Sequence, residues 1–119
     1  MDAERLAHRL EHILEAINGV EDTIAGLSRD TVLGHWTLRS AVERGIEIIS
    51  EASRHLPAEL TDPYSDIPWR NIRGIGNFLR HEYDKLEPDI LWQIASEGLI
   101  PLKAAIRAML AQLRAAERN

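Results

Sequence analysis

Ile67-Pro-Trp-Arg-Asn-Ile-Arg-Gly-Ile-Gly-Asn-Phe-Leu-Arg-His-Glu-Tyr-Asp84 reads as one helix with two unlike long sides. Pro68 suits a first helical position, where its missing N–H is an orphan in any case, and Ile72, Ile75, Leu79 and Leu86 then recur at helical spacing. At about 100° per residue, Arg70, Arg73, Asn77, Arg80, His81 and Asp84 fall in a fan of roughly 100°, while Gly76 and Tyr83 join the adjoining apolar arc. One side is built for packing. Its neighbour gathers guanidiniums, an amide and an imidazole, which together suit a phosphate. A solvated polar face is the ordinary reading of such a helix. Here Arg70, Arg73, Arg80 and Lys85 outnumber Glu82 and Asp84 in a chain whose formal net charge is -5, so the cations are concentrated against the trend of the whole sequence.

Working outward from this stretch, nothing reads as a strand. Leu6, Leu10, Ile13, Ile17, Val20, Ile24 and Leu27 alternate by four and three, the spacing with which a long first helix buries a narrow seam. Gly26 and Ser28, with Ser28 or Asp30 as an N-cap, mark a turn. A second helix follows with Leu38, Val42, Ile46, Ile49, Ala52 and Leu56 on its core face, antiparallel to the first. Three prolines between Pro57 and Pro68 predict an ordered loop with at most a short turn. Downstream, Glu87-Pro-Asp89 ends one helix and starts the last, which carries Ile90, Leu91, Ile94, Leu99, Leu102, Ile106, Met109 and Leu113 and is bent or interrupted near Gly98 and Pro101. Trp36, Trp69 and Trp92 are expected to supply aromatic contact area. The expected architecture is all-α: an antiparallel four- to five-helix bundle in one domain spanning 1–119.

Composition narrows the function classes. The chain has 119 residues and no cysteine, so disulfides and thiolate metal sites are excluded. No apolar run approaches the ~18 residues of a membrane span, and the charged start Met1-Asp-Ala-Glu-Arg-Leu6 leads to the expectation of a cytoplasmic protein with no membrane contact. An acidic balance disfavours broad coating of nucleic acid but leaves room for a local basic cleft. His8 and His12 stand four apart without a carboxylate to complete a zinc pattern, and His35 and His55 stand alone, so no metal and no cofactor is expected. No phosphate-binding loop or dinucleotide fingerprint is present, so any phosphate must be held by side chains.

The run Trp69 to Asp84, preceded by Ala41-Val-Glu-Arg-Gly-Ile-Glu-Ile-Ile-Ser-Glu-Ala52 and followed by Asp89-Ile-Leu-Trp92, resembles the HepT-like ribonuclease toxins of the HEPN superfamily. The resemblance covers nearly the whole chain. It implies a helical bundle, a homodimer with the motif helices at the interface, and a minimal nucleotidyltransferase of the MntA kind as antitoxin partner. The family's motif is an Arg, four to six residues, then a His, often followed by x-Tyr. His81, Tyr83 and Asn77 match it, whereas the position five before His81 is Gly76 and the flanking arginines are Arg73 and Arg80.

Two function classes follow. In the first, a toxin cleaves single-stranded RNA without metal: His81 moves protons, Arg80 or Arg73 stabilises charge on the phosphorane, and Arg70 and Asn77 bind RNA. In the second, a catalytically degenerate relative acts as a binding partner of the nucleotidyltransferase. In both, the resemblance makes Tyr83 the candidate for adenylylation. The small residues Gly74 and Gly76 are expected beside the dimer interface.

Overall fold

The computed structural model describes residues 2–82 and 86–118, and every regular element among them is a helix. Helix α1 (Ala3–Ile24) starts where the Asp2 carboxylate accepts the Arg5 N–H at 2.8 Å, satisfying one of the orphan donors of the first turn. Its buried stripe is Leu6, Leu10, Ile13, Ile17 and Val20. Burial of each such side chain contributes about 1.5–3 kcal/mol, so this stripe anchors α1 against both α3 and α7. The heptad pattern runs one step shorter than expected. Gly26 adopts φ 73, a left-handed turn that glycine takes without a Cβ penalty, and Leu27 beyond it is 39% exposed instead of joining the seam.

The expected second helix is divided. Ser28 caps a short α2 (Arg29–Gly34), accepting the Thr31 N–H at 3.2 Å, and extended backbone at His35 turns the chain into α3 (Trp36–Ser53). Trp36, placed in a packed environment by the sequence reading, is instead 82% exposed at the first position of α3. Arg29 ties α2 to the later α6 (Pro88–Gln93), with hydrogen bonds of 2.7 Å to Asp30 and to Asp89. Those two carboxylates, Asp30 first, raise the pKa of its guanidinium. The proline-rich segment is more regular than the expected loop with at most a short turn: Pro57 leads into a one-turn α4 (Ala58–Thr61), which runs directly into a 3-10 turn at Asp62–Tyr64.

Helix α5 (Trp69–Glu82) begins one residue after Pro68, whose carbonyl accepts the Ile72 N–H. Leu86 is buried beyond it. After α6 the chain widens into a π-helical turn at Ile94–Gly98 and resumes as α7 (Leu99–Arg118). Pro101 lies in the first turn of α7, where a missing N–H costs least, so the predicted interruption is real and sits just before it. Met109 is fully buried. Ile90, counted with the core, is 47% exposed.

The helix directions follow from cross-contacts. Gly45 approaches Val20 and Ala16, while Glu47 and Glu51 lie near Arg9 and His12, so α3 runs antiparallel to α1. Lys103 pairs with Glu21 and Arg114 with Glu11, which makes α7 antiparallel to α1 as well. Ser50 meets Arg73 and Gly76, and Arg54 lies near Arg70, so α5 is antiparallel to α3. These four long helices form the expected antiparallel bundle, with α5 packed along α3 and α7 along α1. A crevice of about 470 Å³ remains between α3, α5 and the α6–α7 segment, lined by Ile46, Ile49, Ile72, Ile75, Ile94 and Leu102. No helix among the described residues is long and apolar enough to cross a membrane.

Candidate functional site

Helix α5 is seated by its smallest buried residue. The Gly76 N–H donates to Ser50 Oγ at 2.9 Å, and the same hydroxyl donates to the Arg73 carbonyl at 3.1 Å. A Cβ on Gly76 would lie 2.6 Å from Ser50 Oγ and 2.7 Å from Ser50 Cβ. The close approach that glycine permits is therefore to α3 of the same chain, and Gly76 is not available to a second copy as the sequence reading placed it. Gly74, by contrast, has nothing within 4 Å of an added Cβ.

With Trp69, Gly76 and Leu79 buried, the opposite side of α5 is fixed toward solvent. Arg70, Asn77 and His81 fall within about 40° of one another around the helix, all exposed. Arg70, Arg73, Gly74 and Asn77 line an open concavity of about 490 Å³ with Arg54 of α3, a residue that the sequence reading did not single out. Neither Arg70 nor Arg73 forms an ion pair with a described residue, so both guanidiniums keep their donors available to a ligand. This cluster brings three of the candidate residues together.

Arg80 is held elsewhere. About 100° from His81 around the helix, it turns toward α3, where Nη1 lies 3.7 Å from Glu51 Oε2. It opens on a second concavity, of about 220 Å³, lined by Arg9, His12, Arg44, Glu47 and Glu51 among others. Arg80 and His81 of one chain thus point into different surroundings despite being adjacent in sequence. His81 makes no hydrogen bond or ion pair with a described residue. Tyr83 lies outside the described residues. Among the described residues, no group of three or more histidine or acidic side chains could hold a metal ion.

Arg54, Arg44, Arg9 and Glu51 are the residues that sequence reasoning missed, and His12 it set aside. A local signal existed: Arg44, Glu47, Glu51 and Arg54 recur every three or four residues, opposite the buried Val42, Ile46 and Ile49. Only the antiparallel register of α1, α3 and α5 shows that they meet the basic side of α5.

A sequence model of the family described as Ribonuclease HepT-like matches residues 13–109, which include both concavities apart from Arg9 and His12. A protein of Caldanaerobacter subterraneus subsp. tengcongensis named "Putative RNase TTE0752" is 31% identical over 101 residues, 85% of this chain and 90% of its own. The "Probable ribonuclease HepT" of Thermococcus cleftensis is 32% identical over 94 residues, 79% of this chain and 86% of its own. No solved structure matches the chain.

Proposed function

The chain belongs to the ribonuclease HepT-like family, and from that premise we propose that it is the toxin of a toxin–antitoxin pair, a metal-independent endoribonuclease acting on single-stranded RNA in the cytoplasm. The reading takes residues 1–119 as one HEPN-like domain. The observation that carries it is the exposed imidazole of His81 on the same side of α5 as Arg70 and Asn77, one turn beyond the Asn77 that closes the concavity of Arg54, Arg70 and Arg73.

The chemistry asks for two things. A base must take the proton of the 2′-hydroxyl as its oxygen attacks phosphorus, and an acid must return a proton to the 5′-oxygen as the P–O5′ bond breaks, leaving a cyclic phosphate and a 5′-hydroxyl. An imidazole serves either role. The phosphorane carries added negative charge, which a guanidinium stabilises, and Arg73 or Arg80 supplies it. Arg70 and Asn77 bind the RNA beside the cut.

Because Arg80 and His81 diverge within one chain, a second copy is the natural source of the missing partner group. We take the active unit to be a two-fold homodimer with the α5 helices near the interface, supported by the open backbone at Gly74 and by the apolar crevice on the flank of α5. Light scattering at micromolar concentration is expected to give twice the chain mass; a monomer only would defeat the assembly.

The antitoxin in this reading is a minimal nucleotidyltransferase of the MntA kind that adenylylates Tyr83, adding bulk and negative charge two residues along the chain from His81. Incubation with that enzyme and ATP should add adenylate mass to a peptide containing Tyr83. Modification found only elsewhere refutes the assignment.

A second reading draws support from Gly76, which stands where the family motif has arginine: a degenerate relative that binds the nucleotidyltransferase and cleaves nothing. The two separate on one assay. Purified protein is incubated with end-labelled single-stranded RNA in the presence of a chelator. Cleavage supports the toxin, and an uncut strand leaves the binding partner.

A further inference from the structure

The two basic concavities are not independent. Glu51 of α3 stands between them: its carboxylate lies 3.9 Å from Arg54, which lines the first, and 3.7 Å from Arg80, which lines the second. The first concavity holds Arg54, Arg70 and Arg73, and the second holds Arg9, Arg44 and Arg80. Those six arginines are drawn from a total of 14 lysines and arginines in an acidic chain, so this face departs from the charge of the rest. They sit on three neighbouring helices, α5, α3 and α1, whose axes lie about 8–10 Å apart. Two such spacings exceed the reach of a single phosphate and fit several nucleotides in a row.

We propose that single-stranded RNA lies along a track crossing α5, α3 and α1, in which Arg9 and Arg44 bind phosphates beyond the cut and Glu51 is the carboxylate that an RNA phosphate displaces. The inference rests on the ribonuclease reading and adds to it the path of the substrate over α1, with residues outside the family motif.

The energetics of the ion pairs favour such an exchange. Arg80 and Glu51 are 33% and 51% exposed at 3.7 Å, and a pair so open to solvent contributes only about 0–1 kcal/mol. Arg44 is 67% exposed and held at 2.9 Å by Glu47 alone. A phosphate offers Arg80 or Arg54 a bidentate acceptor of its own in place of a carboxylate that Arg54, His55 and Arg80 share at 3.5–3.9 Å. Glu51 therefore bridges Arg54 and Arg80 while the track is empty and yields them when the backbone arrives.

The test is fluorescence anisotropy with a labelled RNA methylated at every 2′-oxygen, which lacks the attacking hydroxyl and reads binding apart from cleavage. The double variant Arg9→Gln, Arg44→Gln is expected to bind on the order of tenfold more weakly, with the slope of log affinity against log salt shallower by about 1.4, as two lost contacts to a single strand require. Glu51→Gln is expected to bind at least threefold more tightly. Changes of opposite sign cannot both come from a damaged fold. An unchanged affinity and slope in the double variant, or weaker binding by Glu51→Gln, overturns the track. If the wild type cleaves RNA while these variants bind like it, only the track falls; if the wild type binds no RNA, track and ribonuclease reading fall together.

Discussion

His81→Ala is expected to lower the rate of single-stranded RNA cleavage by about 10²–10⁴-fold, the usual contribution of a positioned acid or base. Stability should hardly change. The side chain is exposed, makes no bond to a described residue, and follows the buried Leu79 at the end of α5, so surface replacement there belongs in the range of about 0.5 kcal/mol or less. Arg80→Ala tests the partner role: it breaks only the 3.7 Å pair with Glu51, and a comparable loss of rate at unchanged melting temperature is expected if its guanidinium reaches the phosphorane from the second copy. Mixing the two inactive variants separates a shared cleft from one built within a single chain. Heterodimers formed from His81→Ala and Arg80→Ala chains contain one cleft with both native groups if each cleft draws them from different protomers, and recover part of the activity. Failure of both single variants to reduce cleavage removes these residues from the chemistry.

The bundle was legible because its signal is local. Stripes such as Leu6, Leu10, Ile13, Ile17 and Val20 declare a buried face with no knowledge of what covers it, and all five are buried. The break between α2 and α3 was not read, although Gly34 stands at it, because the apolar pattern resumes at Leu38 and hides a change of direction. Trp36 shows the converse limit: an aromatic residue advertises contact area but not whether the fold brings anything to it.

The candidate site divides in the same way. Arg70, Arg73 and Asn77 are neighbours along one helix, and their grouping follows from period alone. The addition of Arg54 on one side and of Arg9, His12 and Arg44 around Arg80 depends on how α3 lies between α1 and α5. Ser50 carries no sequence signal at all. It is a serine 1% exposed on the core side of α3, and its role appears only when Gly76 is placed opposite it.

That pairing decides what Gly76→Arg does. On motif spacing alone, an arginine here restores the family pattern and should keep or raise activity. In this chain it meets Ser50 first: even the Cβ lies at 2.6 and 2.7 Å from Ser50 Oγ and Cβ, and 3.4 Å from the Glu47 carbonyl, and although the hydroxyl can rotate away, Ser50 Cβ and the carbonyl are fixed to the backbone of α3. Overpacking of this kind costs about 1–3 kcal/mol before the rest of the side chain is considered. The remainder adds a guanidinium leaving a buried position, and the Ser50 bonds to Gly76 and Arg73 are lost as α5 is pushed off α3. Against a total stability of about 5–15 kcal/mol, the sum is a large fraction. Urea unfolding should therefore show a midpoint far below that of the wild type, with ribonuclease activity falling along with the folded fraction. Ser50→Gly removes both nearest atoms at a helix-propensity cost of about 0.5 kcal/mol, since serine is itself a poorer helix former than alanine. Combined with Gly76→Arg, it is expected to recover part of the lost stability, a gain that independent effects cannot produce. Should Gly76→Arg alone unfold at the wild-type midpoint, α3 and α5 separate without cost and Ser50 does not set the seat of the motif helix.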